Sequence, residues 1–236
     1  MPVKNRFAEL QPEIAAWRRD FHENPELLYE VHRTAARVAA LLRDFGCDEV
    51  VEGIGRTGVV GVIRGRTDRS GRVVGLRADM DALPIRERTG RAYASKNPGV
   101  MHACGHDVHT SVMLGAALLL KQQETTLPGR VRILFQPAEE SFGGAKTLIR
   151  AGALQNVAAI FGMHNEPGLP VGEFATRGGA FYANVDRFVL RINGKGAHAA
   201  RPHEGKDAIL LASQLVTVLQ SVASRDVNTL DSVVLS

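Results

Sequence analysis

Short β-type runs at residues 58–63, 73–76, 131–135 and 158–163 are separated by segments of helical period, and this alternation confines the chain to an α/β layered architecture. Ile14, Trp17, Arg18 and Phe21 recur at helical spacing over residues 14–22. Val38, Leu41, Leu42 and Phe45 do the same over 35–45, with Gly46 placed as the C′ residue. Further helices are predicted at 108–123 and 145–151. The strand–helix–strand order predicts a mainly parallel sheet flanked by helices. Past Pro170 the texture changes. Residues 171–175 and 185–192 read as strands, and Gly194-Lys195-Gly196 reads as a turn. A long helix is expected from 207 to 224, with Asp207 as N-cap and Ile209, Leu210, Leu215, Val216 and Leu219 as its apolar stripe. The expected division is a first domain over 1–178 and a second over 179–236. Residues 231–236 form a β-prone apolar stretch, either an edge strand ending the protein or a chain that stops inside a domain.

Several functional classes fall away. The formal net charge of +4 is spread along the sequence with no like-charge block, and no nucleic-acid-binding signature is present. The nearly apolar run 111–120 is far shorter than the roughly 20 residues of a membrane span, and the N-terminus has no signal-peptide core. The two cysteines, Cys47 and Cys104, suit a reducing compartment, so the expectation is a soluble cytoplasmic protein. Gly53-Ile54-Gly55-Arg56-Thr57-Gly58 matches the dinucleotide fingerprint, but the β-branched Val59-Val60-Gly61-Val62-Ile63 follows it. A pyrophosphate site would need a helix N-terminus there, so the glycines read as a turn entering a strand.

Polar clusters follow the predicted strands: Asp79 and Asp81 after 73–76, Glu139 and Glu140 after 131–135, and His164 after 158–163. Ligands of open α/β sheets gather at that rim. Singly, each has a bland reading as a loop carboxylate, a solvated pair or a surface histidine. The segment His102-Ala103-Cys104-Gly105-His106-Asp107-Val108-His109 is different, because three histidines, a cysteine and an aspartate so close together point to a metal. Cys104 as thiolate and His106 as neutral imidazole suit first-row transition metals, with rim carboxylates completing the shell. Glu139 and Glu140 are expected to point in divergent directions, one binding metal and one remaining free. A free carboxylate beside an activated water is what a hydrolase needs. The alternative is a closed tetrahedral zinc site of Cys104, His106, His164 and one glutamate, which leaves Asp79, Asp81 and His109 unexplained.

Together these residues resemble the M20 metallopeptidase and amidohydrolase family, in the branch of hippurate hydrolases and plant auxin-conjugate hydrolases. The resemblance runs in order through His22-Glu23-Asn24-Pro25-Glu26-Leu27, residues 75–85, Met101 to Asp107, Phe135 to Glu140, Met163-His164 and Gly194 to His203. It implies a zinc-peptidase-like catalytic domain with an inserted α+β lid and dimerisation domain, the latter incomplete here. It also implies a two-metal site of Zn, Mn, Ni or Co, with Cys104, His106, Glu140 and His164 as ligands and Glu139 as the general base. Asp81 matches an aspartate that orients a metal ligand. Asp79 stands where other branches have histidine, which leaves its role open. His198, in the lid, matches a histidine that stabilises the tetrahedral intermediate, in some members at a partner subunit's site. Family chains continue beyond this length to a further histidine ligand, so the resemblance implies a truncated chain, inactive or weakly active alone.

The function implied is hydrolysis of N-acyl amino acids, hippurate-like amides, by metal-activated water in a homodimer assembled through the lid, without nucleic-acid or membrane partners. The rivals are an M20-type dipeptidase or aminoacyl peptidase, a non-catalytic metal-binding or dimerisation module, and a nucleotide-binding oxidoreductase. The last rests only on the rejected glycine pattern.

Overall fold

The computed structural model describes residues 3–67, 71–140, 143–182 and 184–236. Its elements run α1 (Val3–Glu23), α2 (His32–Asp44), β1 (Glu49–Ile54), β2 (Gly58–Arg64), β3 (Val73–Asp79), α3 (His106–Gln122), β4 (Arg130–Gln136), α4 (Gly144–Arg150), β5 (Val157–Gly162) and α5 (Ala208–Ser221). The strands form one sheet in the order β1-β2-β4-β3-β5. β4, β3 and β5 are parallel, whereas β2 runs antiparallel to both β1 and β4. The sheet is therefore mixed, and its parallel half is the part whose carboxyl ends carry the polar clusters. The antiparallel half follows from a short connection: Gly55-Arg56-Thr57 between β1 and β2 leaves no room for a crossover. The glycine-rich segment is thus a hairpin turn entering β2.

Period-two alternation divides the apolar residues between the two faces of the sheet. Val59 and Ile63 of β2 and Val131, Ile133 and Phe135 of β4 pack with Trp17 and Phe21 of α1, Val38 and Leu42 of α2, and Met113, Leu114 and Ala117 of α3. On the opposite face Val60, Val62 and Leu134 meet Leu148 of α4 and Ala153. At the end of α2, Gly46 takes φ +79°, while Gly46 and Cys47 donate to the carbonyls of Arg43 and Leu42. This is the C′ role expected for Gly46. β3 extends beyond the predicted 73–76, so Asp79 is its last residue. β1 is absent from the sequence reading because it is a largely exposed edge strand without a buried alternation.

The chain divides into two compact units, Met1–Gly172 and Glu173–Ser236. In the second, Asp207 caps α5 as expected, its carboxylate accepting from the backbone N–H groups of Ile209 and Leu210 at 2.9 Å each. The expected strands at 171–175 and 185–192 do not form. A strand needs a hydrogen-bonded neighbour, and the described residues contain no ladder for either segment. The terminal stretch 231–236 is likewise not a strand. The run Ala208–Asp226 is long and apolar enough to cross a membrane, with a mean hydropathy of 1.3 over an 18-residue window. Ser213, Gln214, Thr217 and Gln220 interrupt it, as in an amphipathic helix rather than a lipid-facing one.

Candidate metal centre

Asp81, just past β3, organises the centre from below. Its side chain is completely buried. Oδ1 accepts the backbone N–H of Glu139 at 2.9 Å and Oδ2 that of Glu140 at 3.2 Å. Hydrogen bonds to a charged acceptor contribute about 1.5–3 kcal/mol each, enough to fix the tight turn after β4, where Ala138 adopts φ +52°. The Asp81 backbone carbonyl accepts from His106 Nδ1 at 2.7 Å. One aspartate therefore sets both glutamates and the histidine.

That bond also fixes the tautomer of His106. A carbonyl only accepts, so Nδ1 carries the proton and the neutral ring presents Nε2 as a lone pair. The His106 side chain is fully buried, and Nε2 has no hydrogen-bond partner among the described residues. Around it, each at 3.7 Å, lie Asp79 Oδ2, Glu139 Oε2 and Glu140 Oε1. The two glutamates therefore converge, contrary to the divergent arrangement expected from sequence, because Asp81 holds both of their amides. His164, after β5, follows the same rule as His106. Its Nδ1 donates to the Asn165 carbonyl at 2.8 Å, and its Nε2 lies 3.3 Å from Cys104 Sγ.

These spacings fit a cation. Metal–nitrogen bonds of about 2.0–2.1 Å place two tetrahedral donors about 3.4 Å apart. Donor atoms of Cys104, His106 and His164, and of His106, Glu139 and Glu140, lie within 4.8 Å of one another in each group. The chemistry agrees. Burial and the charges of Glu140, Glu139 and Asp79 push the Cys104 thiol up to about 12. Burial likewise raises the Glu140 carboxyl. For His106, burial works against the charged form, but Asp81, Asp79 and Glu140 outweigh it and raise its pKa. This is a concentration of negative groups and lone pairs that a positive ion would relieve.

Asp79 has a different surrounding. Oδ1 accepts from His109 Nδ1 at 2.6 Å and Oδ2 pairs with Arg77 at 2.7 Å. Burial opposes its ionisation, but His109 and Arg77 prevail and hold the carboxyl at about 2. His109 is itself engaged at both nitrogens, with Nε2 accepting the Asn165 N–H at 3.1 Å. Asp79 and His109 thus brace the strand end that carries His164. Sequence reading left their roles open, and it missed the reach of the Asp81 carboxylate to amides 58 residues away.

Gly105 lets the Cys104–His106 turn come close to residue 165. It adopts φ +88°, and a Cβ there would lie 2.2 Å from Asn165 Oδ1. Gly105→Ala is expected to cost about 1–3 kcal/mol from the left-handed backbone alone. A urea melt checks this, and an unchanged midpoint would remove the packing constraint on the turn. His198 belongs to the second unit, where it is exposed and its Nδ1 accepts the Ala200 N–H at 3.2 Å.

Comparison with known proteins gives the family of the chain. An N-acetyl-L-cysteine deacetylase of Bacillus subtilis (strain 168) is 46% identical over 227 residues, covering 96% of this chain and 54% of that protein. An N-acyl-L-amino acid amidohydrolase of Geobacillus stearothermophilus is 43% identical over 235 residues, covering 99% of this chain and 63% of that protein. This chain therefore spans between about half and two thirds of the length of these relatives. The crystal structure of the Bacillus subtilis YXEP protein, a dinuclear metal binding peptidase from M20 family, superposes with a TM-score of 0.66 at 46% identity, covering 70% of this chain and 46% of that one. The family model described as Peptidase family M20/M25/M40 matches residues 75–233, from within β3 through α5. With the clusters at the rim of the parallel strands inside that span, the chain belongs to Peptidase family M20/M25/M40.

Proposed function

We propose that the whole protein to which this chain belongs is a metal-dependent amidohydrolase that cleaves N-acyl amino acids, hippurate-like amides included. The observation that carries this reading is the buried Nε2 of His106, a lone pair facing three carboxylate oxygens with no hydrogen-bond donor among the described residues. Cys104, His106, Glu140 and His164 would hold two divalent ions of Zn, Mn, Ni or Co. When bound, the ions supply Lewis-acid polarisation of the amide carbonyl and make water more acidic.

Glu139 is the base. Its side chain is more exposed than those of Glu140 and Asp79, so one oxygen can face the substrate while the backbone stays latched by Asp81. It takes the proton of the attacking water and later delivers one to the leaving amine, so that the C–N bond breaks to a carboxylic acid and a free amine. His198 is assigned to the oxyanion. With Nδ1 accepting, its Nε2 carries the proton and is a donor, a role worth roughly 2.7–4 kcal/mol for a well-placed group. Residues 1–178 are read as catalytic and 179–236 as part of a lid through which a homodimer assembles. None of the described residues of Glu173–Ser236 is buried, which supports a surface still to be covered. A cytoplasmic location suits a free thiol ligand.

The names of the two relatives support N-acyl amino acids as substrates, and the name of the solved relative keeps peptide hydrolysis as the second reading. A panel of N-acetyl amino acids, hippurate and unblocked dipeptides, assayed with and without a chelator, separates them. In the whole protein, N-acyl substrates are expected to be cleaved at least about tenfold faster, with all activity lost on chelation. Preference for dipeptides supports the second reading. Bound metal without any amide turnover supports a non-catalytic module.

A further inference from the structure

One buried ionisable cluster has no part in the mechanism above. His22, at the end of α1, is 4% exposed. Its ring nitrogens meet two different carboxylates, Nδ1 lying 2.8 Å from Asp107 Oδ2 and Nε2 lying 3.3 Å from Glu87 Oε1. A neutral imidazole has a single N–H and can donate to only one of them. Donation to both requires a proton on each nitrogen, which is the imidazolium. Arg18 Nη2 lies 3.4 Å from His22 Nδ1 and works against that charge, but the bonds to Asp107 and Glu87 outweigh it. Arg18 Nε pairs with Asp107 Oδ2 at 2.7 Å, so two carboxylates face two cations. The ring centre of His102 lies 6.4 Å from that of His22. Tyr93 meets the His22 ring edge-on at 5.7 Å and stacks under the guanidinium groups of Arg18 and Arg19.

The partners of His22 matter because of where they sit. Asp107 follows His106 directly in the first turn of α3. Glu87 lies in the segment that leaves Asp81 and returns to Cys104, and it organises that segment locally. Its Oε2 accepts the Ser95 N–H at 2.6 Å and its Oε1 also accepts the Thr89 hydroxyl. Three pieces of chain far apart in sequence therefore converge on one ring. Two of them are bonded within a residue or a short loop of the candidate donors.

We infer that His22 is a positioning residue for the metal-bearing turn: as an imidazolium bonded to both Asp107 and Glu87, it fixes the orientation in which Cys104 and His106 present their donor atoms. This rests on the metal-centre reading above. Glutamine at 22 keeps a side-chain donor but neither the charge nor the second bond. Glu87→Gln removes one carboxylate from the far side of the ring while leaving Asp107 in place.

Cobalt(II) titration of the metal-free protein tests this, with the thiolate charge-transfer band and the d–d bands as readouts. Wild-type protein is expected to develop both. His22→Gln and Glu87→Gln are expected to bind cobalt about tenfold more weakly and to show displaced d–d bands even at saturation. A role confined to fold stability would not move the saturated spectrum. Absence of the thiolate band in the wild type overturns the metal-centre reading itself. A normal wild-type titration with wild-type affinity and spectrum in both variants overturns the role of His22 alone. Should His22→Gln fail to fold, Glu87→Gln carries the same expectation.

Discussion

Glu139→Gln is expected to lower turnover about 10²–10⁴-fold, the usual contribution of a positioned general base, while metal content stays at the wild-type level. The substitution is nearly isosteric. It leaves the backbone N–H of residue 139 on Asp81 Oδ1 and the turn at Ala138 intact. What it removes is the ability to accept a proton from water. Glu140→Gln should give the opposite ranking, with metal lost first and turnover lost in consequence. Both glutamates approach His106 Nε2 to the same 3.7 Å, so distance alone does not separate them, whereas exposure favours Glu139 as the group that reaches substrate. Steady-state kinetics with elemental analysis of each variant decides the matter. Near wild-type turnover in Glu139→Gln would refute the base assignment. Metal loss in Glu139→Gln with retention in Glu140→Gln would exchange the two roles.

Cys104→Ala is expected to weaken metal binding more than about 10²-fold, beyond the 10–100-fold typical of losing a group that merely orients a ligand. Sγ is the softest donor present and lies 3.3 Å from His164 Nε2. In its absence the Asn165 carbonyl is the remaining hydrogen-bond partner of the His164 ring among the described residues. The variant should also lose the thermal stabilisation that metal gives. Metal at 100 times its dissociation constant contributes about 2.7 kcal/mol. For a chain of this size that corresponds to a rise in melting temperature of about 5–10 °C. Differential scanning calorimetry with and without metal measures this, and a full metal-induced rise in Cys104→Ala would remove Cys104 from the ligand set.

The core elements were legible because burial imposes a period. Val59 and Ile63 face one layer and Val60 and Val62 the other, so β2 announced itself in its residue pattern, as did β4. β1 lacked that signal because one edge of a sheet needs no buried face. The segments 171–175 and 185–192 carried the pattern of strands without the neighbours that make one, since propensity describes a side chain's fit to a sheet and not the presence of a partner. At the centre, residue types and their clustering were enough to nominate Cys104, His106, Glu139, Glu140 and His164, all of which the fold brings to one rim. The supports were legible only in part: the resemblance gave Asp81 an orienting role, but not the way it exerts it. Asp81 acts through backbone amides, which have no sequence signature, and His22 meets Asp107 across 85 positions of chain. The open question of Asp79 was one of geometry: both of its oxygens are occupied, by His109 and by Arg77.

In the proposed centre, Cys104, His106, His164 and a glutamate would gather around divalent ions with a second carboxylate kept for proton transfer. Anomalous X-ray diffraction from crystals of the metal-loaded protein, recorded on both sides of the metal's absorption edge, tests it most directly. Two anomalous peaks are expected within bonding distance of Cys104 Sγ, His106 Nε2, His164 Nε2 and a Glu140 oxygen, with Glu139 outside the bonded set. Peaks located elsewhere, or none within coordination distance of those atoms at full metal occupancy, would contradict it.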